Sequence, residues 1–289
     1  VTPLLIALIV ASTAMTIPEN PCAAGWRYEM TFVHPHERNV RQVSSRLRIP
    51  ADDLKMWNSL DESGALFEGQ RIVYCRDRRP GSIGFPWRGG LRSGVNLDSN
   101  GDGHGCGWAL SSKRVHTFGT RETVADVSDC LCRYRSQFAD GPDISVGDLS
   151  RRGGGRLAGH RSHRSGRDID LGYITDPPQT EGFFNTRANS RNLDAEKQWW
   201  LLKCFLDKKS LEYVFMNWGP ISAVRKVVES RPEDAFYLRY FPGGEEPVIM
   251  NDPSHRSHMH VRFQCARDDS ECRDRGPEIT RGAGRRAGN

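Results

Sequence analysis

Five of the nine histidines in this 289-residue chain fall in two short clusters, His160-Arg161-Ser162-His163 and His255-Arg256-Ser257-His258-Met259-His260. The first is followed at once by Gly166-Arg167-Asp168-Ile169-Asp170. A divalent metal of borderline softness binds imidazole and carboxylate, and a catalytic site needs three such ligands plus one open position for water. The two clusters can supply that set. Ser257-His258-Met259-His260-Val261-Arg262-Phe263 reads as a strand, so His258 and His260 face one side about 6.6 Å apart. One imidazole can then hold the metal while its neighbour reaches the water. His163 and Asp170 can add the other two ligands if the chain turns at Ser165-Gly166, where small residues permit a tight loop. Asp168, two residues before Asp170 and on the same strand face, is a candidate to orient a ligand histidine. A surface aspartate is the equal alternative.

Other chemistries fit less well. His36-Glu37 is followed by Val40 rather than a second histidine, so H-E-x-x-H is absent. Asp98-Ser99-Asn100-Gly101-Asp102-Gly103 matches the start of a calcium loop, but its twelfth position is Ala109 and not a bidentate Glu, which favours an Asx/Gly turn over calcium. Gly153-Gly154-Gly155 is not followed by Lys-Ser/Thr, so its expected use is close backbone approach near the site rather than phosphate binding. A net charge of +5 suits a polyanionic envelope. With no helix-turn-helix, zinc-finger or RNA-binding signature beside it, nucleic acid is not an expected partner.

His160-x-x-His163-x-x-Gly166-x-Asp168-x-Asp170, with His255-x-x-His258-x-His260-Val261-Arg262 and Cys265 to Cys272, resembles the penicillin-insensitive murein endopeptidases. That family is a branch of the zinc peptidases that include lysostaphin and the D-Ala-D-Ala metallopeptidases. The resemblance runs from about Val95 to Cys272 and takes in Gly147-Asp148-Leu149-Ser150 and the glycine run. It implies an α+β zinc peptidase domain with a central antiparallel sheet, in which His163, Asp170 and His260 hold Zn²⁺ and His258 is the catalytic histidine. His160 and His255 become further active-site residues. The implied substrate is the D-alanyl–meso-diaminopimelyl cross-link of peptidoglycan. The carboxypeptidase branch carries a glutamate three residues before the last histidine ligand, and here that position is Ser257. A D,D-carboxypeptidase and a non-catalytic wall-binding protein with a structural metal are the alternatives.

These residues need elements to place them. Within the catalytic region (95–273), Val124, Val127, Leu131, Tyr134 and Phe138 mark a helix, Ile144–Val146 a strand, Leu193–Leu206 a second helix and Leu211–Met216 another strand. Strands and helices without a repeating crossover unit fit α+β. Upstream, residues 26–75 read as a separate module. A strand (Arg27–Val33) precedes a helix capped by Asn39 with Val40, Val43 and Leu47 on one face. A second helix opens at Pro50 and carries Leu54 and Trp57, and a closing strand follows at Arg71–Tyr74. This β-α-α-β order, with Ile49 to Asn58 and Glu68 to Ile72, resembles a LysM peptidoglycan-binding module, which implies a glycan partner. Glu37-Arg38-Asn39-Val40 stands in place of that family's usual Gly-Asp-Thr-Leu. Residues 76–94, rich in Arg, Pro and Gly, read as a linker, and 274–289 as a disordered tail.

The apolar run Pro3 to Ala11 reads as the core of a signal peptide within residues 1–24, cleaved near Ala14 or Ala24, although no Lys or Arg precedes it. No other stretch approaches the ~20 apolar residues of a membrane span. A periplasmic or secreted location follows. Eight cysteines then favour disulfides. Bridges Cys22–Cys75 and Cys265–Cys272 would contribute about 4 and about 2.5 kcal/mol by loop entropy. Cys130 and Cys132 cannot pair with each other on a helix, because i and i+2 point apart. Nothing in the sequence bears on oligomeric state.

Overall fold

The computed structural model describes residues 22, 25–47, 49–77, 80–98, 105–111, 114–179, 184–267, 269 and 271–274. The signal-peptide region apart from Cys22, the Asp98–Gly103 loop beyond Asp98, and the tail beyond Asp274 lie outside the described residues. The chain divides into two compact units, up to residue 79 and from residue 80. No helix among the described residues is long and apolar enough to cross a membrane.

The first unit runs β1 (Trp26–Phe32), α1 (Val40–Leu47), α2 (Ala51–Trp57), β2 (Arg71–Asp77). β1 and β2 pair antiparallel, Trp26 opposite Asp77 through Phe32 opposite Arg71. Val40 and Val43, one turn apart on α1, are buried with Leu54 of α2 against Ile72 and Tyr74. Asn39 Oδ1 accepts the Gln42 N–H (3.2 Å) at the start of α1. Asn58, just past α2, grips both backbone groups of Val73 at 2.7 Å. Glu37 is buried in the first loop, where it accepts from Arg46 at 2.7 and 3.0 Å and from the His34 N–H at 2.8 Å. The Arg46 bonds, against the cost of burial, bring its carboxyl down to about 2. Cys22 is bridged to Cys75.

The second unit opens with a hairpin, β3 (Gly81–Phe85) and β4 (Arg88–Arg92), inside the stretch read as a linker. Glycine hides this hairpin from a reading based on apolar alternation, yet the hairpin needs it. A Cβ on Gly89 would lie 2.1 Å from the Ile83 carbonyl oxygen. The hairpin is tied to the Cys265–Cys272 loop through the Ser82 N–H to Asp269 and the Gly84 N–H to the Glu271 carbonyl. Next come β5 (Val95–Asn96), β6 (Trp108–Leu110), β7 (Phe118–Gly119), α3 (Arg121–Gln137), β8 (Ile144–Val146), β9 (Asp168–Gly172), α4 (Ala195–Leu206), β10 (Leu211–Met216), α5 (Trp218–Glu229), β11 (Ile249–Asn251) and β12 (His258–Phe263).

Six of these strands form one sheet in the order β11-β10-β12-β9-β8-β6. Its centre is antiparallel, but β6–β8 and β10–β11 at the two edges are parallel. A wholly antiparallel sheet is therefore the wrong description. α3 lies between β6 and β8 in the chain and α5 between β10 and β11, the crossovers that parallel neighbours require. Ile169, Leu171, Met259, Val261 and Phe263 are buried in one core with Leu131 of α3, Trp199 and Phe205 of α4 and Val224 of α5. Side-chain alternation turns the intervening residues of β9 and β12 to the other face. Two further bridges, Cys106–Cys132 and Cys130–Cys204, use the diverging cysteines of α3, the second joining it to α4.

Candidate metal centre

β9 and β12 are antiparallel neighbours with His258 opposite Gly172, His260 opposite Asp170 and Arg262 opposite Asp168. His163 reaches the same place from the loop before β9. Its own backbone is left-handed (φ 61°), and Gly166 follows at φ 73°, where a Cβ would lie 2.8 Å from Leu91. The His163 N–H donates to Asp168 Oδ2 at 3.0 Å, which fixes the turn.

Three atoms then form a near-equilateral triangle. His163 Nε2 is 3.1 Å from His260 Nδ1 and 3.2 Å from Asp170 Oδ1, and His260 Nδ1 is 3.1 Å from that oxygen. The other ring nitrogens are committed: His163 Nδ1 donates to the Leu149 carbonyl (2.9 Å) and His260 Nε2 to Asp168 Oδ1 (2.8 Å). Two lone pairs and a buried carboxylate oxygen without a hydrogen-bond donor of its own therefore converge on one point. Three acceptors facing each other repel unless a proton or a metal ion sits among them. A tetrahedral ion with bonds of about 2.0–2.1 Å needs ligand edges near ~3.3 Å, and the triangle fits it.

Asp168 organises the set. Besides the His163 N–H and His260 it accepts Arg262 Nε at 2.7 Å. Burial alone would raise its carboxyl, but Arg262 and His260 hold it well below the usual range. Around the triangle, His258 Nε2 lies 3.8 Å from Asp170 Oδ1, and its ring stacks on Phe184 at 4.9 Å. His255 lies 5.1 Å from the His258 ring and 5.5 Å from the His260 ring, and it stacks on Phe215. His160 sits edge-on to His163 at 4.4 Å with Nδ1 3.7 Å from Asp170 Oδ2. Burial lowers the His258 imidazole, and it lowers His255 to about 4 with help from His260 and His258. Both are neutral at neutral pH.

The structure thus brings together all seven residues singled out from the sequence: His160, His163, Asp168, Asp170, His255, His258 and His260. Sequence reasoning missed Asp148, whose carboxylate binds His160 and His116, together with the Leu149 carbonyl, Arg262 and Phe184. Arg262 is two residues past His260 and shares its strand face, a signal that was available. Nothing local marks His116 or Phe184.

The profile of the penicillin-insensitive murein endopeptidase family matches residues 82–230, which include His160, His163, Asp168 and Asp170, while the second histidine cluster lies beyond the match. A protein of Haemophilus influenzae named penicillin-insensitive murein endopeptidase is 29% identical over 157 residues, covering 50% of this chain and 51% of its own length. Proteins of the same name from Klebsiella pneumoniae and Salmonella arizonae are each 25% identical, over 150 and 147 residues. These cover 46% and 45% of this chain and 50% and 48% of their own lengths. The chain spans about half the length of the curated relatives it matches.

Proposed function

The chain belongs to the penicillin-insensitive murein endopeptidase family, and from that premise we propose that it is a zinc metallopeptidase that hydrolyses D-alanyl–meso-diaminopimelyl cross-links in peptidoglycan. The observation that carries this reading is the triangle of His163 Nε2, Asp170 Oδ1 and His260 Nδ1, three donor atoms that suit a catalytic zinc with an open position, which His160 beside them would close if it too were a ligand. When bound, zinc polarises the scissile carbonyl and lowers the pKa of water toward ~7.

The remaining work falls to the chain's own side chains. His258 Nε2 faces the triangle, and burial keeps the ring neutral, so it can take a proton from the attacking water or steady the developing oxyanion. His255 and His160 flank it and contact the substrate. Asp168 fixes the ring of His260 and the backbone of His163. Ser257 in place of a glutamate supports endopeptidase over D,D-carboxypeptidase chemistry. The first unit, with its LysM-like element order, serves as a glycan-binding module. Four disulfides suit an oxidising compartment, and the periplasm or the exterior is the proposed location.

Digestion of purified sacculi with the zinc-loaded protein, followed by chromatography of the products, tests the reading. Cross-linked dimers should become monomers without release of D-alanine. The activity should be lost with a zinc chelator and unaffected by penicillin, for which the chain has no S-x-x-K acylation motif. D-alanine as the main product would replace endopeptidase with carboxypeptidase, and no product of either kind would leave a wall-binding protein.

A further inference from the structure

Asp148 lies outside the ligand triangle and touches it from two sides. Its backbone carbonyl accepts the Asp170 N–H at 3.1 Å. Its carboxylate sits between two imidazoles, Oδ1 3.0 Å from His116 Nδ1 and Oδ2 2.9 Å from His160 Nε2. An ionised carboxylate only accepts, so each of those nitrogens carries the hydrogen. The neutral His160 ring is thereby held as the Nε2–H tautomer, which leaves its lone pair on Nδ1. That lone pair and Asp170 Oδ2, 3.7 Å away, form two acceptors side by side at the edge of the triangle. The His160 side chain is a quarter exposed, so a ligand can reach it. The neighbouring residue completes the frame, since the Leu149 N–H donates to the His116 carbonyl at 2.8 Å and the Leu149 carbonyl accepts from His163.

We propose that His116 and Asp148 are positioning residues: they form a relay that locks the His160 ring with Nδ1 turned inward, as hydrogen-bond acceptor for an N–H or O–H of the bound substrate or its attacking water. The proposal rests on reading the triangle as the metal site. It adds a role for a His-Asp pair that makes no contact with the reacting atoms and acts only through His160. The logic is that of outer partners that orient imidazoles around a metal, whose loss typically costs about 10–100-fold.

The test uses the zinc-loaded full chain and two variants, Asp148→Ala and His116→Gln. In the unsubstituted protein, ¹⁵N-edited proton NMR should show slowly exchanging Nδ1–H of His116 and Nε2–H of His160. Both signals should vanish in Asp148→Ala, and His116→Gln should keep that of His160. On murein dimers, kcat should fall about 10–100-fold in Asp148→Ala and less in His116→Gln, with KM and zinc content unchanged. Unaltered imidazole protons in Asp148→Ala, or unaltered kcat in both variants, would overturn the relay. Loss of zinc would overturn it too, by making Asp148 a support of the metal ligands instead. Should the unsubstituted protein leave murein uncut, the proposed function fails by itself, and the imidazole protons still decide the relay.

Discussion

Three acceptor atoms facing one another set the terms for substitution at His163, Asp170 and His260. Removing any one leaves two ligands, too few for a tight site, so each Ala variant should lose zinc and hydrolysis together, from about one ion per chain in the parent. Elemental analysis checks this, and full zinc retention in all three variants would refute the ligand set. His258 should behave differently because it faces the triangle without belonging to it. His258→Ala should keep its zinc and lose ~10²–10⁴ in rate, the usual worth of a proton-transfer or oxyanion partner. Zinc loss in that variant would make it a ligand. At this scale the sequence was informative because the chemistry-bearing residues come in dense local clusters. Asp148 was not legible as the link between His116 and His160, since it lies 32 residues from the first and 12 from the second and only the folded chain closes those gaps.

On β10, one side chain runs against its surroundings. Glu212 is buried, neither of its carboxylate oxygens has a hydrogen-bond partner, and Arg167 approaches only to 3.7 Å. Burial outweighs Arg167 and Arg262 and raises its carboxyl from 4.5 to about 7. A raised carboxyl folds more favourably when protonated, so the stability present below about pH 4.5 is lost as pH rises through about 7. Glu212→Gln mimics the protonated form. It should leave urea midpoints nearly unchanged at about pH 4 and stabilise by up to about 3 kcal/mol at about pH 8. An equal shift at both pH values would sink the explanation. The same sheet shows what periodicity can and cannot deliver. β8, β10 and β12 and helices α3 and α4 stand out as apolar patterns in the sequence, whereas an antiparallel sheet is what the family resemblance implies. The parallel edges are legible from neither, because the direction of β6 and β11 is set by the crossovers through α3 and α5 and not by the residues of those strands. The β3–β4 hairpin escapes for another reason, its strands being held by glycine and backbone bonds rather than by alternating side chains.

At the scale of the whole chain, two units with separate cores imply separable work. Deleting the first unit should weaken sedimentation with insoluble peptidoglycan and leave cleavage of small soluble cross-linked peptides nearly unchanged, because a tethered binder raises local concentration without touching the chemistry. Equal sedimentation of both forms would reduce that unit to a structural role. Its β-α-α-β order was readable because every contact it needs lies within about fifty residues. The second unit is built from distant pairings, and the candidate metal centre is the extreme case, with His163 and His260 97 residues apart in the chain. The complete three-atom set exists only after β9 and β12 have paired, so its affinity for an ion is also folding free energy. A chain exported unfolded therefore travels without its metal. Under the proposed function it is loaded where it finishes folding, and the free zinc of that compartment, rather than of the one that made the chain, decides what fraction of the molecules is active.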